Sequence, residues 1–316
     1  MQLLNNQALN IEDSDIIAFS CVRNELLRLP YFLEYHRTLG VNRFVFIDNA
    51  STDETADFLL SQDDIFVYST TESYASSKCG INWLNQLLLE FGTGHWTLTL
   101  DADELLIYPM CENIGLHRLV EYLDSVDAQA VATFMLDMYA DKAIKDTVYT
   151  SGEPFQDTCN YFDSDTYVDF DKLGLPVRGG PRHRLFWEGQ DRPRPSPVLR
   201  KVPLVKWREN LQFEASTHAI SGLTLASLTG IIQHFKFFSD FIKYSESESK
   251  RKEHWDDAAQ YESYWSVLYK TPDLNPMYAG SLAYKDSMQL VELGMMRLPD
   301  SFINFARKHE QTQESI

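Results

Sequence analysis

IIAFSCVRNELLRLPYFLEYHRTLGVNRFVFIDN, residues 16–49, decides the fold. IIAFSCV is a short apolar run with β-branched and aromatic residues, which predicts a strand. NELLRLPYFLEYHRTLG follows, with Leu26, Leu29, Leu33 and His36 near helical spacing, Gly40 as a C-terminal stop, and Pro30 in the first turn or at a kink. RFVFIDN (43–49) is the second strand, and STDETADFLL opens the next helix with Ser51 or Thr52 as N-cap and Asp53 and Glu54 in its first turn. IFVYST (65–70) gives a third strand. Residues 77–91 form an amphipathic helix with Ile81, Leu84, Leu88 and Phe91 on one stripe, and HWTLTLD (95–101) is a fourth strand. This alternation predicts an α/β fold with a mostly parallel sheet flanked by helices.

The fourth strand runs into TLTLDADELLIYP (97–109), which sets Asp101, Asp103 and Glu104 together. Their mutual repulsion calls for a cation. At a bending strand end, carboxylates at i and i+2 reach one ion, and a hard divalent cation such as Mg²⁺ or Mn²⁺ prefers such oxygen ligands and leaves positions for phosphates. Open α/β sheets bind ligands outside the carboxyl ends of their strands, where Asp48 also opens. The plainer reading has Asp101 and Asp103 capping a helical turn, with Glu104 in solvent.

A chain of 316 residues accommodates one large α/β domain with an appendage. Its net charge of −18 repels polyanions, so a nucleic-acid partner is not expected, although a metal and a few arginines can reverse the potential inside one cleft. Cys21, Cys79, Cys111 and Cys159 lack the spacing of a zinc site or a disulfide framework and read as reduced thiols. MQLLNNQALNIEDSD has no basic region followed by an apolar core, and no stretch has the length of a transmembrane segment, so a soluble, cytoplasmic protein is expected.

IIAFSCVRNELLRLPYFLEYHRTLGVNRFVFIDNASTDETADFL, followed by LTLDADELLIYP, resembles glycosyltransferase family 2, in particular a subset with an extended RNE…EYH…GV…DNxSxD opening. The resemblance covers Asp15 to about Pro109, and more weakly Gly179 to about Phe238. It implies a GT-A (Rossmann-like) fold in which a nucleotide-sugar, uridine-linked for preference, lies across the carboxyl edge of the sheet. Asp101 and Asp103 match the DxD that holds Mn²⁺ or Mg²⁺ on the donor diphosphate, with Ala102 between them on the donor surface. Asp48 matches the acidic residue that contacts the base, Asp53 lies near the nucleoside, and Arg23, Asn24 and Glu25 match the first loop, Glu25 being the nucleoside contact. Lys78 is a candidate for the phosphates. The implied acceptor is a hydroxyl on a glycan or a lipid-linked sugar, and the implied domains are a catalytic domain over 1–238, with a donor half at 15–110 and an acceptor half at 111–238, and a helical extension over 239–316.

The second half carries the remaining candidates. VATFMLDMYA (131–140) and the stretch around GIIQHFKF read as strands, Thr147 to Asp171 as an insertion or acceptor loop, Arg192 to Pro203 as a surface connection, and the tail from Ser239 as helical. In the implied fold a C-terminal histidine completes the metal shell: His234, with His218 as its competitor. GGPRHRLFW resembles the family's glycine-containing segment, where Arg182 and Arg184 are candidate diphosphate cations and Trp187, like Trp207, a candidate sugar platform. An inverting transfer needs a carboxylate base. The family's Glu-Asp pair is missing here, which leaves Glu214 and Asp137. Two other enzyme classes fit less well: an aspartyl-phosphate phosphatase expects Thr or Val where Leu105 stands, and a sugar nucleotidyltransferase needs a glycine-rich first loop where this chain has CVRNELLRLP. A non-catalytic carbohydrate-binding protein of the same fold is the remaining alternative.

Overall fold

The computed structural model describes residues 1–5, 10–192 and 194–313. Parts of three stretches read above therefore lie outside the described residues: 6–9 of the N-terminus, Pro193 of the 192–203 connection, and 314–316 of the tail. In chain order the elements are β1 (Gln2–Leu3), β2 (Ile16–Val22), α1 (Leu29–Leu39), β3 (Arg43–Asp48), α2 (Thr55–Leu60), β4 (Ile65–Ser69), α3 (Ile81–Leu87), β5 (Trp96–Thr99), β6 (Glu104–Ile107), α4 (Leu116–Ser125) and β7 (Ala130–Asp137). There follow α5 (Phe155–Thr158), β8 (Tyr161–Asp163), β9 (Tyr167–Phe170), β10 (Pro176–Gly179), α6 (Gly180–Phe186), β11 (Arg200–Lys206) and β12 (Leu225–His234). The tail holds α7 (Asp240–Arg251), α8 (Ala259–Lys270), β13 (Ser281–Ala283), α9 (Ser287–Glu292) and α10 (Asp300–Gln313).

Among the described residues nine strands form one sheet in the order β1-β4-β3-β2-β5-β11-β7-β12-β6. β2, β3, β4, β5, β7 and β12 run one way, and β1, β11 and β6 run against them. This is the mostly parallel, Rossmann-like sheet that the sequence predicts. β2, β3, β5 and β7 are covered on both faces, so they read as continuous apolar runs. The period of two still sorts them: Ile16 and Ala18 enter the core under α1 and α4, while Ile17 and Phe19 enter the core under α3 with Trp83, Leu84 and Leu87. Phe302 of α10 lies edge-on to Tyr122 of α4, and α7 and α8 bury Phe241, Tyr261 and Tyr264 against Phe186 and Trp187.

Two local expectations are corrected. Ser51 and Thr52 do not cap a helix: α2 begins at Thr55, and the Ser51 hydroxyl accepts from the Asn24 N–H at 3.0 Å. Arg192 to Pro203 is only in part a surface connection, because β11 starts at Arg200 and lies between β5 and β7 in mid-sheet. Pro203 cannot donate to a ladder, and the pairing with β7 shifts register between Lys201 and Leu204, so the proline is taken up at an irregularity. GPRHRLF, for its part, forms the short helix α6, with Gly179 closing β10 before it.

Candidate functional site

β4, β3, β2 and β5 stand in the order 3-2-1-4 of a doubly wound sheet, so the strand order reverses between β2 and β5, where such sheets bind ligands. A cleft of about 840 Å³ opens there. Arg23, Glu25 and Asn49 line one side and Asp101, Ala102 and Asp103 the floor. Arg178, Arg182 and Arg200 lie on the β7–β11 side, and Lys236, Tyr244 and Tyr261 toward the tail helices. The two first loops are latched to each other. Asn24 Oδ1 accepts from the Thr52 N–H at 2.7 Å, Thr55 Oγ1 accepts from the Glu25 N–H at 3.0 Å, and Arg23 donates to the Asn49 backbone carbonyl at 2.6 Å. Asn24 holds this arrangement at φ 56°, a conformation that asparagine adopts more readily than most residues.

The acidic residues are met by cations from distant strands. β11 runs against its neighbours, so its first residues lie at the edge where the parallel strands end. Lys201 Nζ is 2.6 Å from Glu104 Oε2 and 3.3 Å from Asp101 Oδ2, and the same Glu104 oxygen accepts from the Asp101 N–H at 3.0 Å. Burial opposes the charge on Lys201, but Asp101 and Glu104 outweigh it and raise the ammonium above its ordinary range. Next to this lies a second chain: Arg182 Nε to Asp137 Oδ2 at 2.7 Å, Asp137 Oδ1 to His234 Nδ1 at 2.5 Å, and His234 Nε2 to Asp103 Oδ2 at 3.3 Å. Lys236 Nζ stands 3.7 Å from the same Asp103 oxygen. Burial alone would raise the Asp103 carboxyl, yet His234 and then Lys236 hold it well below the usual carboxylate range. For His234, burial favours the neutral ring, and Asp103 with Asp137 overcomes it and raises the imidazole above its ordinary range. The donor chemistry of Asp101 and Asp103 fits a hard divalent cation. Among the described residues, no three His, Cys, Asp or Glu side chains converge as a metal-ligand group.

The other residues singled out by sequence divide between those at the cleft and those away from it. Asp48 ends β3 almost fully buried, accepts from the Ser51 N–H at 3.3 Å, and leaves Oδ1 without a partner. Glu25 lines the cleft, and burial pushes its carboxyl up to about 7, with Arg28 opposing. His218 lines it too. Its Nδ1 is 2.7 Å from the Arg200 carbonyl, which only accepts, so the proton belongs on Nδ1 and Nε2 keeps its lone pair. Asp53 is exposed and accepts from the Thr55 N–H at 3.1 Å, and Lys78 is exposed outside the cleft lining. Arg184 is elsewhere, bound bidentately to buried Asp163 at 2.8 and 2.9 Å and over the Tyr278 ring. Glu214 is exposed, bonds Ser221 Oγ at 2.8 Å and does not line the cleft. Asp137 lies behind the cleft with both oxygens occupied. Trp187 lines the cleft, whereas Trp207 is core. Sequence reasoning missed Lys201, Lys236, Asn49 and Arg28. The one signal was apolar Val202, Leu204 and Val205 beside Lys201.

Fold and cleft together define a Rossmann-like α/β protein with a cleft at the carboxyl edge of its sheet. No family model and no curated protein matches the chain. Among solved structures it is similar to HddC from Yersinia pseudotuberculosis over 61% of this chain and 73% of that one, at 9% identity and a TM-score of 0.30. It is similar to a UDP-glucose pyrophosphorylase from Acinetobacter baumanii over 60% and 74%, at 12% identity and 0.26, and to a 4-diphosphocytidyl-2C-methyl-D-erythritol synthase over 88% and 97%, at 12% and 0.28. No helix among the described residues is long and apolar enough to cross a membrane.

Proposed function

We propose that the protein is a metal-dependent glycosyltransferase that moves a sugar from a nucleotide-linked donor, uridine-linked for preference, to a hydroxyl on a glycan or lipid-linked acceptor. The observation that carries this reading is the placement of Asp101 and Asp103 on the floor of a cleft at the topological switch point, with Lys236 and several arginines along its walls. In this reading the latched loops at Arg23–Glu25 and Asp48–Asp53 receive the nucleoside. Asp101 and Asp103 hold the divalent cation, which when bound supplies positive charge for the departing diphosphate. Lys236 and Arg182 add fixed positive charge at the cleft, the kind of pre-oriented electrostatics that favours charge growing on a leaving group. His234, braced by Asp137, keeps the Asp103 carboxylate oriented and ionised. Tyr244, Tyr261 and Trp187 give the acceptor side of the cleft an aromatic lining.

The test is calorimetric titration with UDP, then GDP, each with and without Mn²⁺, on the wild type and on Asp101→Ala. Metal-dependent binding of one nucleotide that disappears in the variant is the expected result. Binding of neither nucleotide under any condition would sink the proposal.

A further inference from the structure

The acidic pair is not alone in the cleft floor, and that bears on how a cation enters. Lys201 is 1% exposed in its side chain, against 59% for Asp101, so the ammonium is fixed in the protein while the carboxylate faces the cleft. Its shorter contact, 2.6 Å, is to Glu104, itself 1% exposed, and the longer one, 3.3 Å, is to Asp101. Glu104 Oε1 is buried without a partner, so the buried pair is held through one oxygen only. With Lys236 beside Asp103, two ammonium groups stand among three carboxylates. A bare divalent cation at Asp101 would meet a cation that cannot withdraw into water. A cation arriving with a diphosphate brings compensating negative charge.

We infer that Lys201 is a resident counter-cation that competes with the divalent metal for Asp101 and thereby makes metal and donor diphosphate bind together; this rests on the donor-site reading above. The ammonium holds Asp101 in place when the cleft has no donor, keeps metal affinity low, and lets the nucleotide set the occupancy of the site. Glu104 tunes the competition by drawing Lys201 away from Asp101.

Mn²⁺ binding, followed by the loss of the free-ion electron paramagnetic resonance signal, tests this on wild type, Glu104→Gln, and the double variant Lys201→Met with Glu104→Gln. Gln keeps an acceptor for the Asp101 N–H, Met approximates the lysine's volume, and the double variant leaves no unpaired buried charge. The expected order without nucleotide is weakest for Glu104→Gln, whose Lys201 turns wholly to Asp101, and about tenfold tighter for the double variant. UDP should tighten Mn²⁺ binding strongly in the wild type and much less in the double variant. Equal Mn²⁺ affinity in Glu104→Gln and the double variant would overturn the role of Lys201 while UDP-dependent binding in the wild type still stood. Failure of every form to bind Mn²⁺, with or without UDP, would overturn the donor-site reading and the inference with it.

Discussion

Glu25 offers a quantitative test of the cleft's electrostatics. Its side chain is 20% exposed, its nearest cation, Arg28 Nη1, is 3.3 Å away, and Arg28 is shared with Asp240 at 2.9 Å. Burial is the largest influence on the carboxyl, Arg28 works against it, and Asp103 and Asp240 add repulsion, which together push it from its usual 4.5 up to about 7. A carboxyl raised in the folded state binds its proton more tightly there than in the unfolded chain. The stability it contributes is therefore complete below pH 4.5 and is lost as pH rises through 7. At about 1.4 kcal/mol per pH unit, the window amounts to about 3 kcal/mol, an upper bound because water reaches part of the group. Urea unfolding of wild type and Glu25→Gln at several pH values between 4.5 and 8 isolates the group, since Gln does not titrate. The difference between the two proteins should move by about 2–3 kcal/mol in favour of the variant as pH rises. A difference that stays flat, or that moves toward the wild type, would refute this account of the loop.

Three further outcomes are expected. His36 is fully buried with Nδ1 at the Phe32 carbonyl, and burial pushes its pKa down to about 4. Its contribution is thus present above pH 6.5 and lost as pH falls through 4, and His36→Leu should unfold less steeply with acid in the same urea assay. Arg182→Met removes one half of a buried ion pair and leaves Asp137 with His234 alone; a loss of about 3–5 kcal/mol should appear in chemical denaturation, and a loss below about 1 kcal/mol would contradict the pairing. Gly179→Ala places a methyl 2.4 Å from the Tyr167 Cα and 2.6 Å from the Thr166 carbonyl at φ 129°, so it should cost more than Gly189→Ala, which meets open space at φ 67° and should cost about 1 kcal/mol by thermal melting.

The first half of the molecule was legible because each of its elements carries its own signal. IIAFSCV, RFVFID and IFVYS are apolar runs of strand length, the α1 pattern ends in a glycine at φ 115°, and TLTLDAD turns where the carboxylates begin. Local periodicity and a stop residue suffice when a strand is followed by its own helix. β11 escaped because Pro203 argues against a central strand, and only the register shift opposite β7 makes room for it. The bridge from Lys201 to Asp101 spans about a hundred residues of chain, and no spacing rule reaches that far. Arg182 and Arg184 show the same limit at short range. They are two residues apart on α6, yet one turns to Asp137 at the cleft and the other to Asp163 away from it, because a helical step of two residues separates their directions by about 200°.

The acidic cluster read from the sequence as a cost awaiting an external cation is, in the folded chain, largely paid from within. Glu104 and Asp101 meet Lys201, Asp103 meets His234 and Lys236, and Asp137 meets Arg182. Each partner comes from the second half of the chain, and the two on strands arrive at this edge by direction alone: β12 ends there at His234, and antiparallel β11 begins there with Lys201. Reversing β11 would send Lys201 to the opposite edge and leave Glu104 buried without a counter-charge, a loss of several kcal/mol. The antiparallel strand inside a parallel sheet is thus bound up with the chemistry of the floor. It allows a chain with a net charge of −18 to hold carboxylates at a cleft while lining that cleft with arginine and lysine, so that an anionic ligand meets local attraction within a surface that repels it at longer range.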